Sequence, residues 1–116
     1  MGPNTISSKG RQSDAIVRLL LTCIGRRIEL VRAFRKAAVK LGIGLEIHGA
    51  DSSRLSPAIH MVDRPHLVPT IASGGYIDAL ERIVKRVGIN LLIPLIDSEL
   101  PEIAAARDRF ADLGCL

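Results

Sequence analysis

The sequence predicts an α/β domain built on a mostly parallel, doubly wound, three-layer sheet of about four strands flanked by helices. Three observations predict it. The first is the stretch at 15–27, AIVRLLLTCIGRR. Apart from Arg18 it is apolar through Leu21, and it is short enough to be a strand covered on both faces before a turn at Thr22-Cys23-Ile24-Gly25. The second is that apolar stripes at helical period alternate with short apolar runs along the rest of the chain, giving the order β-α-β-turn-β-α-β-α. The third is a recurring punctuation, Leu41-Gly42-Ile43, Val87-Gly88-Ile89 and Leu113-Gly114-Cys115. Each time an apolar last turn meets a glycine stop and then an apolar residue that opens the next strand. By the same rule Cys115-Leu116 should open a fifth strand, and the sequence is expected to be the front part of a longer protein or one part of a split one.

In order, the opening strand feeds a helix at about 26–41, with Ile28, Val31, Phe34, Ala38 and Leu41 as its inward stripe and Leu30 and Ala37 alongside. A second strand at about 44–50 alternates Leu45 and Ile47 with Glu46 and His48, which predicts less burial than in the first. Ser56-Pro57 starts a short helical turn. A third strand at 66–68 is confined by Pro65 and Pro69, so it should not be a long central one. A helix from 73 or 75 to 87 carries Ile77, Leu80, Ile83, Val84 and Val87 inward, with Asp78–Arg82 and Glu81–Lys85 spaced as ion pairs. The fourth strand is at 90–93. A last helix, about 98–113, is expected to be capped by Ser98 and to bury Leu100, Ile103, Phe110 and Leu113. The expected strand order is 3-2-1-4, a Rossmann-like arrangement.

The 116 residues make one domain, at 15–116, behind a polar disordered leader at 1–14 that lacks the apolar middle of a signal peptide. Aromatics are only 3%, so the core must come from Ile, Leu, Val and Ala, and single-stranded nucleic acid finds few rings to stack on. The net charge of +4 reads as a solvated basic face, and nucleic acid is not the expected partner. Cys23 and Cys115 have no metal or redox spacing, which suits a reducing compartment. No apolar run approaches the ~18 residues of a membrane span. The expected location is the cytoplasm, with no membrane partner.

Strand ends in such a sheet gather along one edge, where ligands bind. Gly25, Arg26 and Arg27 stand at a helix start, where free N–H groups and two guanidinium groups would suit an anion; the competing reading leaves the arginines solvated or pairs them with Asp51 or Asp97. The loop is neither a dinucleotide fingerprint nor a P-loop, since the other glycines and the lysine are missing. Asp51 ends the second strand, either as a ribose-holding acid or as a turn cap. Asp97, Glu99 and Glu102 suit a helix N-terminus without further chemistry. His48, His60 and His66 show no ligand spacing, and Cys23 has no nameable base, so neither a metal site nor a catalytic residue is expected.

The runs LLLTCIGRRIELVRAFRKA, GLEIHGADSS, HLVP and NLLIPLIDSELPEIA, in that order, resemble the N-terminal domain of ATP-grasp enzymes of the carbamoyl-phosphate synthase large-subunit-like group. The resemblance runs from about Val17 to the end of the sequence. It implies a small pre-ATP-grasp domain that helps to wall the substrate cleft of an ATP-dependent carboxylate–amine ligase and is not catalytic alone. Carried over by position, Gly25, Arg26, Arg27, Asp51, Asp97 and Glu99 would face that cleft. The resemblance places ATP and magnesium in later domains, so this chain alone is expected to need no cofactor. The partner it implies is the rest of the ATP-grasp polypeptide or a separate ATP-grasp subunit; a homo-oligomer is compatible with it. Two alternatives stand beside it: a stand-alone nucleotide- or metabolite-binding module, and an assembly module that offers an unpaired sheet edge.

Overall fold

Strand β1 (Ile16–Thr22) lies at the centre of a four-stranded sheet in the order β3-β2-β1-β4, with every pairing parallel. The computed structural model describes residues 16–116, so the 1–14 leader lies outside the described residues. Helix α1 (Ile28–Leu41) leads to β2 (Gly44–Asp51). A 3₁₀ turn at Pro57–His60 then leads to β3 (Arg64–Leu67). A second such turn (Ile71–Ser73) precedes α2 (Tyr76–Val87) and β4 (Leu91–Pro94). A third (Asp97–Glu99) runs into α3 (Leu100–Ala105) and α4 (Arg107–Asp112).

The two-residue period of β1 sorts the core into two layers. Leu19 and Leu21 pack with Ile47 against Val31 of α1 and against Ala58 and Ile59. Leu20 packs with Ala50 and Leu92 on the other face, against Leu80, Ile83 and Val84 of α2 and Phe110 of α4. The chain is thus wound on both faces of the sheet, as the sequence predicts. The three glycine stops also stand. Gly42, Gly88 and Gly114 all take left-handed φ, and the next residue's N–H reaches back to Ala38, Val84 and Phe110 carbonyls at 3.0–3.1 Å. Leu116 pairs with the outer side of β4: its N–H bonds the Asn90 carbonyl at 3.1 Å and its carbonyl accepts from Leu92 at 3.0 Å.

Several expectations are corrected. Helix α1 begins at Ile28, because Gly25–Arg27 is spent on a turn closed by Arg27 N–H to Ile24 O at 3.0 Å. Its last turn leaves Leu41 72% exposed, outside the stripe assigned to it. Strand β2 is not the less buried one: His48 is fully buried, because β2 is flanked by strands on both sides and its polar face is covered too. The single last helix is two, separated at Ala106, whose N–H is shared between the Glu102 and Ile103 carbonyls. Leu100 is exposed, and Glu99, not Ser98, caps the preceding turn by accepting from Ile96 N–H. Asp78 and Glu81 do not pair along α2 but reach across to Arg109.

Leu20 touches both neighbouring strands and the α2 layer with no exposure, whereas Leu41 projects into water. Leu20→Ala should cost about 3–5 kcal/mol in urea unfolding, and Leu41→Ala should stay within about 0.5 kcal/mol of the parent.

Candidate functional site

The carboxyl ends of the strands surround a cleft of about 300 Å³. Cys23 comes from the turn after β1, Asp51 and Ser52 from the end of β2, Val68 to Ile71 from the segment after β3, Tyr76 from the start of α2, and Ile96 from the segment after β4. Parallel topology brings these together, because every strand ends on the same edge.

Asp51 holds the loops in place. Its Oδ2 accepts the Gly25 N–H at 2.7 Å and its Oδ1 the Ser53 N–H at 3.2 Å, while its carbonyl accepts the Val68 N–H at 3.0 Å. It is therefore the turn cap of the two readings the sequence left open, and its partly buried carboxylate still lines the cleft.

Glu99 lies under the cleft with no exposure. Its Oε1 accepts the hydroxyls of Thr22 and Tyr76, each at 2.6 Å, and its Oε2 accepts the N–H groups of Leu95 at 3.1 Å and Ile96 at 3.3 Å. Four donors from three parts of the chain satisfy one buried carboxylate, which is the condition for such a group to be tolerated in a core. Tyr76 Oη lies 3.4 Å from Cys23 Sγ. Burial, opposed by that Tyr76 contact and reinforced by Glu99 and Asp51, pushes the Cys23 thiol up to about 11. Burial also raises the Tyr76 phenol, with further contributions from Cys23 and Glu99. Cys23 is therefore a neutral thiol at pH 7, poorly suited to act as a nucleophile. It is also the one non-glycine among the described residues with positive φ, +51°, which marks the turn as strained.

The remaining sequence candidates lie elsewhere. Arg26 and Arg27 are exposed along a shallow hollow beside the first turn of α1 and do not line the cleft. Neither forms an ion pair among the described residues, so of the competing reading the solvated form matches their exposure and the pairing with Asp51 or Asp97 is absent there. The N–H of Ile28, like those of Gly25 and Arg27, is already bonded, to the Arg26 carbonyl at 2.8 Å. Asp97 is exposed on its turn. The structure thus joins Gly25 to Asp51 and places Glu99 below them. Among the described residues, no lysine or arginine lines the cleft.

The family model for the PylC-like N-terminal domain matches residues 19–116. The chain belongs to that family. No curated protein matches it. The matched span of this PylC-like domain covers the cleft residues from Cys23 to Ile96 and all of β2, β3 and β4. It makes the chain a pre-ATP-grasp-type domain.

Reasoning from sequence missed Thr22 and Tyr76. Period two along β1 does put Thr22 on the face of Leu20, and the lone tyrosine stands at a helix start, but nothing in the sequence joins either to Glu99. It also missed a polar stack on the same face of the sheet. His48 Nε2 lies 2.7 Å from Glu46 Oε1, and His48 Nδ1 lies 2.9 Å from His66 Nε2, with the rings stacked at 5.2 Å. An ionised Glu46 only accepts, so it assigns the proton on His48 Nε2; with both rings neutral, His66 Nε2–H then donates to His48. Glu46 is held below the usual carboxylate range, first by that His48 bond. His66 is brought down to about 4 by burial and by the nearby His48, Arg86 and Arg64.

Two predictions follow from these networks. Glu99→Ala strands two buried hydroxyls and two N–H groups and should destabilise the fold by about 3–5 kcal/mol in urea unfolding. Glu99→Gln keeps one acceptor and should cost roughly half as much. His66 binds its proton less readily folded than unfolded, so the unfolded state gains protons first as pH falls from 6.5 towards 4. Stability should therefore drop through that window, by about 1–2 kcal/mol after screening at a half-exposed ring. Melting curves from pH 7 to pH 4.5 should show the drop, and His66→Gln should flatten it.

Proposed function

We propose that this domain works within an ATP-grasp-type ligase of the carbamoyl-phosphate synthase large-subunit-like group, and that its strand-end cleft walls the site of an amine-bearing substrate. One observation carries the choice of substrate. The cleft presents the Asp51 carboxylate, held by two backbone N–H groups, among Val68, Ile71 and Ile96, with no cation to receive an anion. A substituted ammonium group on an apolar stem matches that lining. The hydroxyls nearby are occupied or small: Tyr76 donates to Glu99, while Ser52 and Thr70 stand at the rim.

On this reading the domain binds and orients but does not activate. Activation of the carboxylate would fall to the ATP-grasp module, in the same polypeptide or a separate subunit, along with ATP and magnesium. The described residues offer no cluster of His, Cys, Asp and Glu suited to a metal, and the cleft offers phosphate no cation. This chain would supply the Asp51 carboxylate and a wall that excludes water from one side of the reacting amine. The assembly alternative has its own observation in favour: an apolar groove of about 330 Å³ beside β4, lined by Leu92, Leu100, Ile103, Phe110 and Leu116.

A pair of charge-opposed probes tests the substrate reading on the folded chain. Millimolar n-butylammonium should shift the amide resonances of Cys23, Asp51, Thr70 and Ile71, butyrate should not, and Asp51→Asn should abolish the response. Preference for butyrate, or an unchanged response in Asp51→Asn, would overturn it. If the shifts gather instead at Leu92, Leu100 and Phe110, the assembly surface is the binding face.

A further inference from the structure

The charges of α2 are sorted by side. Both of its acids are taken by one arginine of α4: Arg109 bonds Glu81 at 2.8 and 3.0 Å and Asp78 at 2.9 Å. Arg82 and Arg86, one helical turn apart, are left facing the edge strand β3. With Pro65, His66, Leu67 and Ala79 they line a hollow of about 290 Å³. Among the described residues neither forms an ion pair, and neither does Arg64 of β3. Glu46, on β2, is committed to His48 at 2.7 Å and to Arg18 at 3.6 Å.

We propose that the hollow between β3 and α2 binds the phosphoryl group of a small ligand through Arg82 and Arg86, with His66 in its wall. Guanidinium groups one turn apart stand about 5–6 Å from each other at their Cβ atoms, a spacing from which both forks can reach one tetrahedral anion. His66 supplies a fixed wall and a reporter of the bound charge rather than a donor, since its Nε2 is tied to His48 at 2.9 Å. Burial first, then His48, Arg86 and Arg64, disfavour a charge on that ring. The volume suits a pyrophosphate-sized group better than a polymer, and the hollow has no Phe, Tyr or Trp on which a nucleobase could stack. The site is distinct from the amine cleft, although Val68 stands in the wall of both. Guarding of the open β3 edge by charge alone would also leave arginines there, but it requires no saturable site.

The test is a titration of the labelled full chain with inorganic pyrophosphate, followed through backbone amides and the His66 ring protons. Saturable shifts should gather at Leu67, Ala79, Arg82 and Arg86. The His66 midpoint should rise by half a unit or more, because a bound anion favours the imidazolium. Arg82→Gln with Arg86→Gln should weaken binding at least tenfold while leaving the melting temperature close to the parent, since both side chains are exposed. Lys40→Gln, on α1, should change nothing. The proposal is overturned by a linear response spread over all basic residues, by an unmoved His66 midpoint, by equal binding in the double variant, or by a response to a DNA duplex where pyrophosphate gives none.

Discussion

The carboxylate of Glu99 is the contact on which the strand-end edge of the sheet depends. It is fully buried, and all four of its bonds go to groups that would otherwise be orphaned: the last side chain of β1, the first of α2, and two N–H groups just after β4. A carboxyl group in that position is tolerable only if its oxygens are hydrogen-bonded, and bonding them fixes the relative placement of the three segments. The cleft floor is therefore rigid for an electrostatic reason. The hydrophobic layers position the sheet, but they do not specify where Tyr76 meets Cys23. The Glu99 network does.

Much of the fold was legible because it rests on local rules. The apolar run of β1, the helical stripes and the glycine stops each state their role within a few residues, and strand order follows from parallel crossovers. The failures share a cause. His48 and Glu46 read as the wet side of β2, yet His48 is buried and stacks on His66, while Glu46, still a third exposed, caps its other ring nitrogen. Glu99 read as a helix-start acid, which it is in part through Ile96 N–H, but its Oε1 turns inward to partners 23 and 77 residues away. Asp78 and Glu81 obeyed helical spacing with Arg82 and Lys85 and still chose Arg109, because a guanidinium fork spanning two carboxylates is a better partner than a single exposed pair. Sequence spacing registers contacts along an element; these lie between elements.

That redistribution of acids has a consequence for the whole surface. The chain carries 16 basic and 12 acidic residues, a modest excess that says little when averaged. Once Asp63 is committed to Arg35, Glu29 to Arg32, Glu46 to His48 and Arg18, and two acids to Arg109, few carboxylates remain near the β3 edge. The charge excess is therefore local, set by which pairs the fold permits: among the described residues Arg82 and Arg86 of α2 and Arg64 of β3 form no ion pair.

The same accounting separates the two ends of the ligand edge. A phosphate-cradling turn needs backbone N–H groups left open at a helix start. After β1 they are already used: Gly25 donates to Asp51, Arg27 to the Ile24 carbonyl and Ile28 to the Arg26 carbonyl. The helix that follows also lacks a side-chain cap, and its arginines lean outward from the cleft. Asp51 takes one donor of the β1 turn and leaves its own negative charge beside it, while the Ile24 and Arg26 carbonyls take the other two. The turn that in many doubly wound sheets receives a phosphate is closed here by these three bonds acting together.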